Sequence, residues 1–285
     1  MEGAAVQDLR LENIPAMPAV ATRVIQLVGQ EGVQLSELAS TISTDAALTA
    51  RVLQIANSSF YGFSRKVDTV KEAVALLGLA AIKSLVIMVA RRNIYKEPGL
   101  LENLLWDHSV SVALGANHLA KSLHCCDADE AFVAGLMHDV GKSVLNNSDH
   151  LKFLKLFQKA YSDNDTCDDF LKREEEFFSI NHLACGKLVA EKWNLSDGLG
   201  SCLALHNLPS EETLKEAPAP SLLATVTLAN LISHRLGHGL REPKEDEPLL
   251  ESDAAAYLKL DEQRLETLIE EIGNNYFELK ESFKL

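Results

Sequence analysis

The spacing of apolar residues constrains this chain more than any other feature of its sequence. Apolar side chains recur every three or four positions along almost every segment, as at Val20, Val24, Leu27 and Val28, which places them on one face of a helix. Strict alternation of apolar and polar residues over the length of a strand is hard to find. The pattern therefore predicts a nearly all-α protein.

The charge balance restricts the partners that the chain is expected to bind. Among its 285 residues, 27 Lys and Arg face 41 Asp and Glu, which gives a formal net charge of −14. Nucleic-acid-binding proteins take most of their affinity from basic residues that neutralise phosphates, so general duplex binding is disfavoured. Residues 1–20 lack a basic segment followed by an apolar one, which favours a cytoplasmic protein that does not enter a membrane.

The cysteines indicate reduced thiols and not a disulfide framework. There are five of them, an odd number, and no C-x-x-C pair is present, so neither a set of disulfides nor a zinc ribbon is indicated. With 47 % hydrophobic residues over this length, the chain is expected to bury a core that is stable without disulfides or a structural metal.

Capping residues and helix breakers divide the chain into successive helices. N-caps are predicted at Ser36, Asp45, Asp127 and Asp261. A helix between residues 71 and 90 is expected to break near Gly78, and Gly141 is expected to end the helix after Asp127 as a residue of left-handed conformation. Further helices are predicted near residues 101–123, 149–162, 166–178, 181–192, 196–206 and 221–238, with a polar loop at 209–220.

The chain divides most naturally at Pro98-Gly99, a turn-forming dipeptide between two helical stretches. We expect an N-terminal helical subdomain over residues 1–98, a second helical domain over 99–240 and a C-terminal helical extension over 241–285. The extension is predicted to start with a solvated linker over residues 241–253 and to end in an amphipathic helix after Asp261.

A short His-Asp-Val-Gly-Lys string carries most of the chemistry. His138 and Asp139 are adjacent, and imidazole and carboxylate side chains at a helix end are long enough to converge on one cation. Alone, such a pair is equally typical of a carboxylate that fixes the tautomer of a buried histidine. Three further histidines on successive predicted helices, His108, His182 and His206, favour the metal interpretation.

The remaining histidines and the larger aromatic residues are given structural roles. Five histidines have no partner by spacing and are interpreted as surface or capping residues: His118, His124, His150, His234 and His238. Trp106 and Trp193 are predicted to anchor the core, and Phe60 and Tyr61 are predicted to pack between the two subdomains.

The histidine spacing resembles the HD superfamily of metal-dependent phosphohydrolases. In that family the first histidine, the His-Asp pair and a later aspartate bind a divalent metal that activates water for attack on phosphorus. The resemblance assigns these roles to His108, His138 and Asp139, and it places the later ligand at Asn230. An amide is a poorer ligand than a carboxylate for a hard dication, so Asn230 weakens the expected metal site.

The N-terminal half resembles the HDOD family, the signalling branch of the HD superfamily. The resemblance rests on the strings TDAALTARVLQIANS, FYG and AVALLG, and it extends from about Leu11 to His206. It implies a bacterial protein in which a helical bundle packs on an HD-like helical domain. It also implies a signal-transduction module, since many members of the family have lost part of the metal site.

The candidate ligands suffice for at most one metal ion. They are His108, His138, Asp139, His182, His206 and, as a weaker ligand, Asn230. The cyclic-di-GMP phosphodiesterase relatives in this superfamily hold two or three metals, which require roughly ten or more donor atoms. The donors of this chain therefore predict one divalent ion, Fe, Mn or Mg, or an empty site.

Two functions follow from the resemblance. The first is a regulatory module with a degenerate metal site that binds a signalling protein or a small nucleotide-like ligand, with homodimerisation left open. The alternative is an active phosphohydrolase on a phosphodiester, phosphomonoester or nucleotide, in which Asp139 and Lys142 act catalytically and Lys142 neutralises a phosphate oxygen. The weakened ligand set favours the first. A helix-turn-helix DNA reader over residues 36–57 is disfavoured, because that segment has no basic face.

Overall fold

The computed structural model of the chain describes residues 14–30, 32–92, 94, 99–163, 167–207, 209–239, 242–244 and 248–283. Within these residues the fold is helical and contains no strand, which confirms the all-α prediction. The helices are α1 (Ala19–Val28), α2 (Leu35–Ser43), α3 (Ala46–Ala56), α4 (Val70–Arg92), α5 (Leu100–Leu123), α6 (Ala128–Met137), α7 (Val140–Ser148), α8 (His150–Ser162), α9 (Cys167–Phe178), α10 (His182–Lys192), α11 (Asp197–Leu205), α12 (Glu211–Glu216), α13 (Pro220–Arg235), α14 (Asp253–Tyr257) and α15 (Glu262–Leu279).

The first four helices form an N-terminal bundle in which α1, α2 and α3 all pack against α4. Helix α4 also contacts α6, and so joins the bundle to the second group of helices, α5 to α13. In that group α5 packs against α6 and α13, while α10 packs against α7 and α11. One cluster of buried side chains extends from Ile14 to Phe283, so both groups share a hydrophobic core. The division at residue 98, which itself lies outside the described residues, stays a prediction.

Both ends of the described chain are fastened to the second group of helices. Near the N-terminal end, the indole Nε1 of Trp193 donates a hydrogen bond of 2.9 Å to the carbonyl of Pro15. Near the C-terminal end, Nε1 of Trp106 donates to the carbonyl of Phe283 over 2.7 Å. The two tryptophans are 6 % and 1 % exposed, which confirms them as core anchors.

Local signals account for most helix starts. Asp45, Asp127 and Asp261 each accept a hydrogen bond from the backbone N–H three residues later, as predicted for N-caps. The predicted cap at Ser36 is wrong, because α2 already begins at Leu35 and Ser36 lies inside its first turn. The N-cap position of α2 is occupied by Gln34, whose side chain makes no capping hydrogen bond.

Gly78 interrupts α4 as predicted. Its φ of 81° and ψ of 173° lie in a region that only glycine adopts readily. Among the described residues, α4 is the one helix long and apolar enough to cross a bilayer, but 56 % of that stretch is buried inside the fold. This burial is typical of a core helix.

Gly141 does not end a helix, contrary to the prediction. Helix α6 ends at Met137, α7 begins at Val140, and Gly141 lies in the first turn of α7. A methyl group at Gly141 would overlap the backbone carbonyl of His182, the first residue of α10. Glycine is needed here because α7 and α10 approach closely, not because the chain turns left-handed.

Two segments predicted as loops contain short helices. Helix α12 lies inside the segment 209–220, and a 3-10 turn at Leu249–Glu251 and the start of α14 lie inside 241–253. Residues 241 and 245–247 of the predicted linker lie outside the described residues. Helix α12 is not predicted from the sequence because it buries Leu214 alone, so no apolar stripe with helical spacing marks it.

The turn after α3 connects the N-terminal bundle to the second group. The side-chain amide of Asn57 donates to the carbonyl of Val67 over 2.7 Å and accepts from its N–H over 2.8 Å. The ring of Phe60 lies 5.4 Å from that of Phe132 in α6 and 5.5 Å from that of Phe283, between ring centroids. Phe60 therefore packs between the two groups of helices, as predicted.

Candidate metal centre

Helix junctions bring the predicted site residues to one place inside the second group of helices. His138 and Asp139 occupy the junction between α6 and α7, His182 is the first residue of α10, and His206 directly follows α11. His108 comes from the middle of α5. Asp139 occupies the N-cap position of α7 without a side-chain capping bond, which leaves its carboxylate free to point at the histidines.

The carboxylate of Asp139 lies at the centre of four imidazoles. Its Oδ2 is 3.6 Å from Nε2 of His108 and 3.4 Å from Nε2 of His138. Its Oδ1 is 3.5 Å from Nε2 of both His182 and His206. None of these five residues is more than 3 % exposed. The fold thus brings together all four histidines that the sequence pattern singles out.

The other ring nitrogen of each histidine is held by a hydrogen bond that fixes the tautomer. Nδ1 of His138 and of His206 donate to backbone carbonyls one turn earlier, over 2.7 and 3.0 Å. Nδ1 of His182 donates to the carboxylate of Glu174 over 2.6 Å. A carbonyl or carboxylate oxygen cannot donate, so the proton of each neutral ring is on Nδ1. The lone pair of each ring is then on Nε2 and points at Asp139.

His108 is held by a chain of hydroxyl groups that leads away from the centre. Its Nδ1 donates to Ser233 Oγ over 3.2 Å, Ser233 donates to Ser111 Oγ over 3.0 Å, and Ser111 donates to Nδ1 of His238 over 2.8 Å. This direction again places the lone pair of His108 on Nε2. The ring of His238 stacks on Tyr276, 3.9 Å between centroids, so the chain of hydrogen bonds ends beneath α15.

His234 and His238 are buried and do not lie at the surface as predicted. Each is 7 % exposed. The ring of His234 stacks on His108 with 5.1 Å between centroids, and burial lowers the pKa of His238 to about 4. Sequence spacing gives these residues no partner because His234 stacks on His108 and His238 bonds to Ser111, both more than 100 residues earlier in the chain.

These contacts leave buried polar atoms that a cation would satisfy. Among the described residues, Nε2 of His108, His138 and His182 and Oδ1 of Asp139 have no hydrogen-bond partner. Burial lowers the pKa of His206 to about 3 and that of His108 well below its ordinary value, so both rings are neutral at pH 7. Lone pairs that converge on a carboxylate repel it unless a cation lies between them. The residues therefore fit a bound divalent metal ion.

Lys142 supplies the positive charge nearest to Asp139. Its Nζ donates to Oδ2 of Asp139 over 2.7 Å and lies 5.1 Å from the ring centroid of Phe170. Burial alone would raise the pKa of Asp139, but Lys142 holds it well below its usual range. The centre holds a second carboxylate, Glu174, which lies 2.6 Å from Nδ1 of His182, and the negative charge of the two carboxylates suits a bound cation.

The histidines form two groups that share the aspartate. His108 and His138 with Asp139, and His182 and His206 with Asp139, each place their ligand atoms within 4.8 Å of one another. The two groups use different oxygens of the carboxylate. Each group offers three donors to an ion.

Asn230 borders the centre on α13. Three residues before it, the hydroxyl of Thr227 donates to the carbonyl of His206 over 3.2 Å, and three residues after it Ser233 contacts His108. Asn230 is 5 % exposed, and its Oδ1 has no hydrogen-bond partner among the described residues. The position that the resemblance assigns to the last ligand thus adjoins the cluster, with a neutral oxygen in place of a carboxylate.

Glu174 is a site residue that the sequence reasoning misses. It lies on α9 with no exposed surface, and its carboxylate accepts from both Nδ1 and the backbone N–H of His182, the latter over 2.9 Å. Such carboxylate–histidine pairs orient metal ligands and raise their basicity. One signal was available, because Glu174 lies four residues after Phe170 on the apolar face of the helix predicted over 166–178. However, Glu174 begins the acidic run EEE, and such a run is typical of a solvent-exposed surface.

The protein that carries this centre matches one known family over most of its length. The model of the HDOD domain matches residues 14–209, well over half of the chain. The chain belongs to the HDOD domain family. A relative of this HDOD protein, an uncharacterized protein of Treponema pallidum (strain Nichols), is 26 % identical over 238 residues, which cover 80 % of this chain and 43 % of the relative. The chain therefore spans less than half the length of that protein.

Two solved structures share the fold of this HDOD protein. An HDOD domain protein of unknown function from Geobacter sulfurreducens matches with a TM-score of 0.74 and 24 % identity, over 95 % of this chain and 92 % of that one. A candidate phosphohydrolase from Shewanella amazonensis SB2B matches with a TM-score of 0.74 and 24 % identity, over 99 % and 98 % of the two chains. At this identity the similarity shows the fold alone.

Proposed function

We propose that this HDOD protein is a regulatory module that holds one divalent metal ion in a closed centre and does not hydrolyse phosphoesters. The observation that carries the proposal is the burial of the centre. The exposed fractions are 0 % for His108 and His138, 1 % for His206, 2 % for Asp139 and 3 % for His182. A metal-dependent hydrolase keeps an open position at its metal for water and substrate, whereas these ligands are screened from solvent.

The donor set indicates which ion the centre holds and where. Lys142 donates to Oδ2 of Asp139, so the better site is on the Oδ1 side, with His182 and His206 as partners. Imidazole nitrogens suit Fe²⁺ and related transition metals, whereas Mg²⁺ prefers oxygen ligands. We therefore expect Fe in preference to Mn or Mg. The amide of Asn230 supplies no charge that would help to hold a second ion.

A metal at this point joins helices from different parts of the sequence. Its ligands come from the α6–α7 junction, from α10 and from the end of α11, so the ion stabilises one mutual arrangement of these helices. We propose that the module presents this arrangement to a signalling protein or a small nucleotide-like ligand in the cytoplasm. The acidic net charge of −14 supports partners other than nucleic-acid duplexes.

The proposal is tested by a hydrolysis assay on the purified full chain loaded with Fe²⁺ or Mn²⁺. The substrates are p-nitrophenyl phosphate, bis(p-nitrophenyl) phosphate, mononucleotides and a cyclic dinucleotide. We expect no turnover above the rate of the metal alone. The matched variants are His182→Ala, which removes a ligand, and His118→Ala, which removes a partly exposed histidine bonded to Glu271 over 2.8 Å.

The alternative function is an active phosphohydrolase, favoured by the contact between Lys142 and Asp139 directly after the His-Asp pair. A bound metal would then lower the pKa of a water molecule and polarise the phosphoryl group. Asp139 would hold the metal, and Lys142 would have to break its contact with Asp139 to reach a phosphate oxygen. Turnover that disappears in His182→Ala but survives in His118→Ala contradicts the regulatory proposal and establishes this alternative.

A further inference from the structure

A pair of adjacent thiols lies in the turn between α5 and α6, on the surface of the second group of helices. The sulfurs of Cys125 and Cys126 are 3.9 Å apart, and both side chains are partly exposed. The preceding residue, His124, has a left-handed backbone with φ 51° that ends α5. Both cysteines line an open recess of about 530 Å³. Small oxidants in solvent therefore have access to the pair.

We propose that Cys125 and Cys126 form a redox-sensitive pair that a hydroperoxide oxidises reversibly to a vicinal disulfide. This site is separate from the proposed metal centre and does not depend on it. Cys125 is the attacking thiol and Cys126 the resolving one.

The surroundings of the two sulfurs differ from those of other cysteines in the chain. Oγ1 of Thr225, on α13, lies 3.3 Å from Sγ of Cys125 and 3.7 Å from Sγ of Cys126. The contacts with Cys126 and Thr225 lower the pKa of Cys125, although burial opposes them. Burial raises the pKa of Cys185 to about 12, and also raises that of Cys202. Thiolates react and thiols do not, so Cys125 is favoured as the nucleophile.

The charged groups around the recess include both signs. Lys121 and His124 line it together with Asp127. The ammonium of Lys121 also lies 5.3 Å from the ring centroid of Phe60. Charges of both signs at the recess do not exclude a neutral oxidant such as a hydroperoxide.

The reaction balances with the hydroperoxide as the named oxidant. The Cys125 thiolate attacks the terminal peroxide oxygen, the O–O bond breaks, and the departing alkoxide or hydroxide takes a proton, which leaves a sulfenic acid on Cys125. The sulfur of Cys126 then attacks the sulfenic sulfur, the S–O bond breaks, and water leaves with the thiol proton. The two thiols lose two electrons and two protons in all, and hydrogen peroxide becomes two molecules of water.

Adjacent positions make the product easy to reduce. A trans peptide holds neighbouring Cα atoms about 3.8 Å apart, closer than the roughly 4.4–6.8 Å usual for disulfide-bonded cysteines. Strained disulfides are the readily reduced, regulatory ones. The pair is therefore expected to return to thiols in a reducing compartment, in agreement with the reduced state that the cysteine pattern predicts.

The test is mass spectrometry of the reduced full chain treated with hydrogen peroxide, before and after chelator treatment. Trypsin releases residues 122–142 as one peptide, whose cysteines are Cys125 and Cys126 alone. We expect this peptide to lose two hydrogens and to regain them with dithiothreitol, while the peptides that contain Cys185 and Cys202 stay reduced. In Cys126→Ser we expect a sulfenic acid at Cys125 that dimedone traps, and in Cys125→Ser no product at the same peroxide dose.

A second measurement does not depend on the variants folding correctly. Limiting iodoacetamide on the wild-type chain should alkylate Cys125 about tenfold faster than Cys126 or Cys202. Equal alkylation of Cys125 and Cys126 overturns the assignment of the nucleophile. Failure to form the intrapeptide disulfide, or its loss after chelation, overturns the proposal, and neither result bears on the metal content of the centre.

Discussion

Replacing Gly141 by alanine is predicted to damage both the stability and the metal centre of this HDOD protein. A methyl carbon built at Gly141 lies 2.7 Å from the carbonyl carbon of His182 and 2.9 Å from its Cα. Since ordinary contacts of this kind are longer, α7 and α10 must move apart. Overpacking of this kind costs about 1–3 kcal/mol, and displacing His182 also strains its contacts with Glu174. The gain in helix propensity of up to about 1 kcal/mol offsets only part of this.

Gly200→Ala is the matched control, because Gly200 also lies in a helix. A methyl group there lies 3.5 Å from Cβ of Ala190, an ordinary contact. This variant should be about 0.5–1 kcal/mol more stable than the wild type. Urea unfolding followed by circular dichroism should place Gly141→Ala about 1–3 kcal/mol below Gly200→Ala in free energy of unfolding, with less bound metal. Equal stabilities and equal metal content in the two variants would refute the reasoning.

Three further predictions concern the carboxylate that orients His182, the dependence of stability on pH, and the turn after α3. Glu174→Gln should weaken metal affinity by about 10–100-fold in a chelator competition, whereas Glu175→Gln, next to it, should not. The pKa values of His206 and His238 are lowered to about 3 and about 4 in the fold, so below pH 6.5 the unfolded chain binds protons that the folded chain does not. Stability of the metal-free protein is therefore retained above pH 6.5 and lost as pH falls, by about 2 kcal/mol per histidine between pH 8 and 5 in urea titrations. A flat profile would contradict this. Asn57→Ala should lower the free energy of unfolding by about 1–3 kcal/mol, since it removes both hydrogen bonds to Val67 and leaves the buried backbone N–H and C=O of Val67 unpaired. An unchanged urea midpoint would count against it.

The parts of the fold that follow from local chemistry were predictable from the sequence. Asp45, Asp127 and Asp261 cap their helices through hydrogen bonds only three residues long, so the sequence alone shows them. The interruption at Gly78 is equally local. Helix α12 was missed because it has almost no buried face, and periodicity detects a helix only through the face that it buries.

The candidate centre was predictable only as far as its ligands. His138 and Asp139 are adjacent in sequence, and the resemblance supplied His108. The hydrogen bonds that orient these ligands include contacts between distant parts of the chain. The contact of Ser233 with His108 spans 125 residues, and no local pattern indicates it. The reason for Gly141 was also hidden, because the carbonyl that it must avoid belongs to a helix 41 residues further along the chain. Predictions from spacing therefore named the atoms that face the centre, but not the contacts that hold them there.

The ratio of metal to protein chain tests the central claim most directly. The full chain is purified, incubated with Fe²⁺ or Mn²⁺, freed of unbound metal and measured by inductively coupled plasma mass spectrometry. The four imidazoles around Asp139 predict one ion per chain. They further predict that His182→Ala loses this ion and that His118→Ala keeps it. A chain that binds no metal, or one that binds two ions at the centre, would contradict the account.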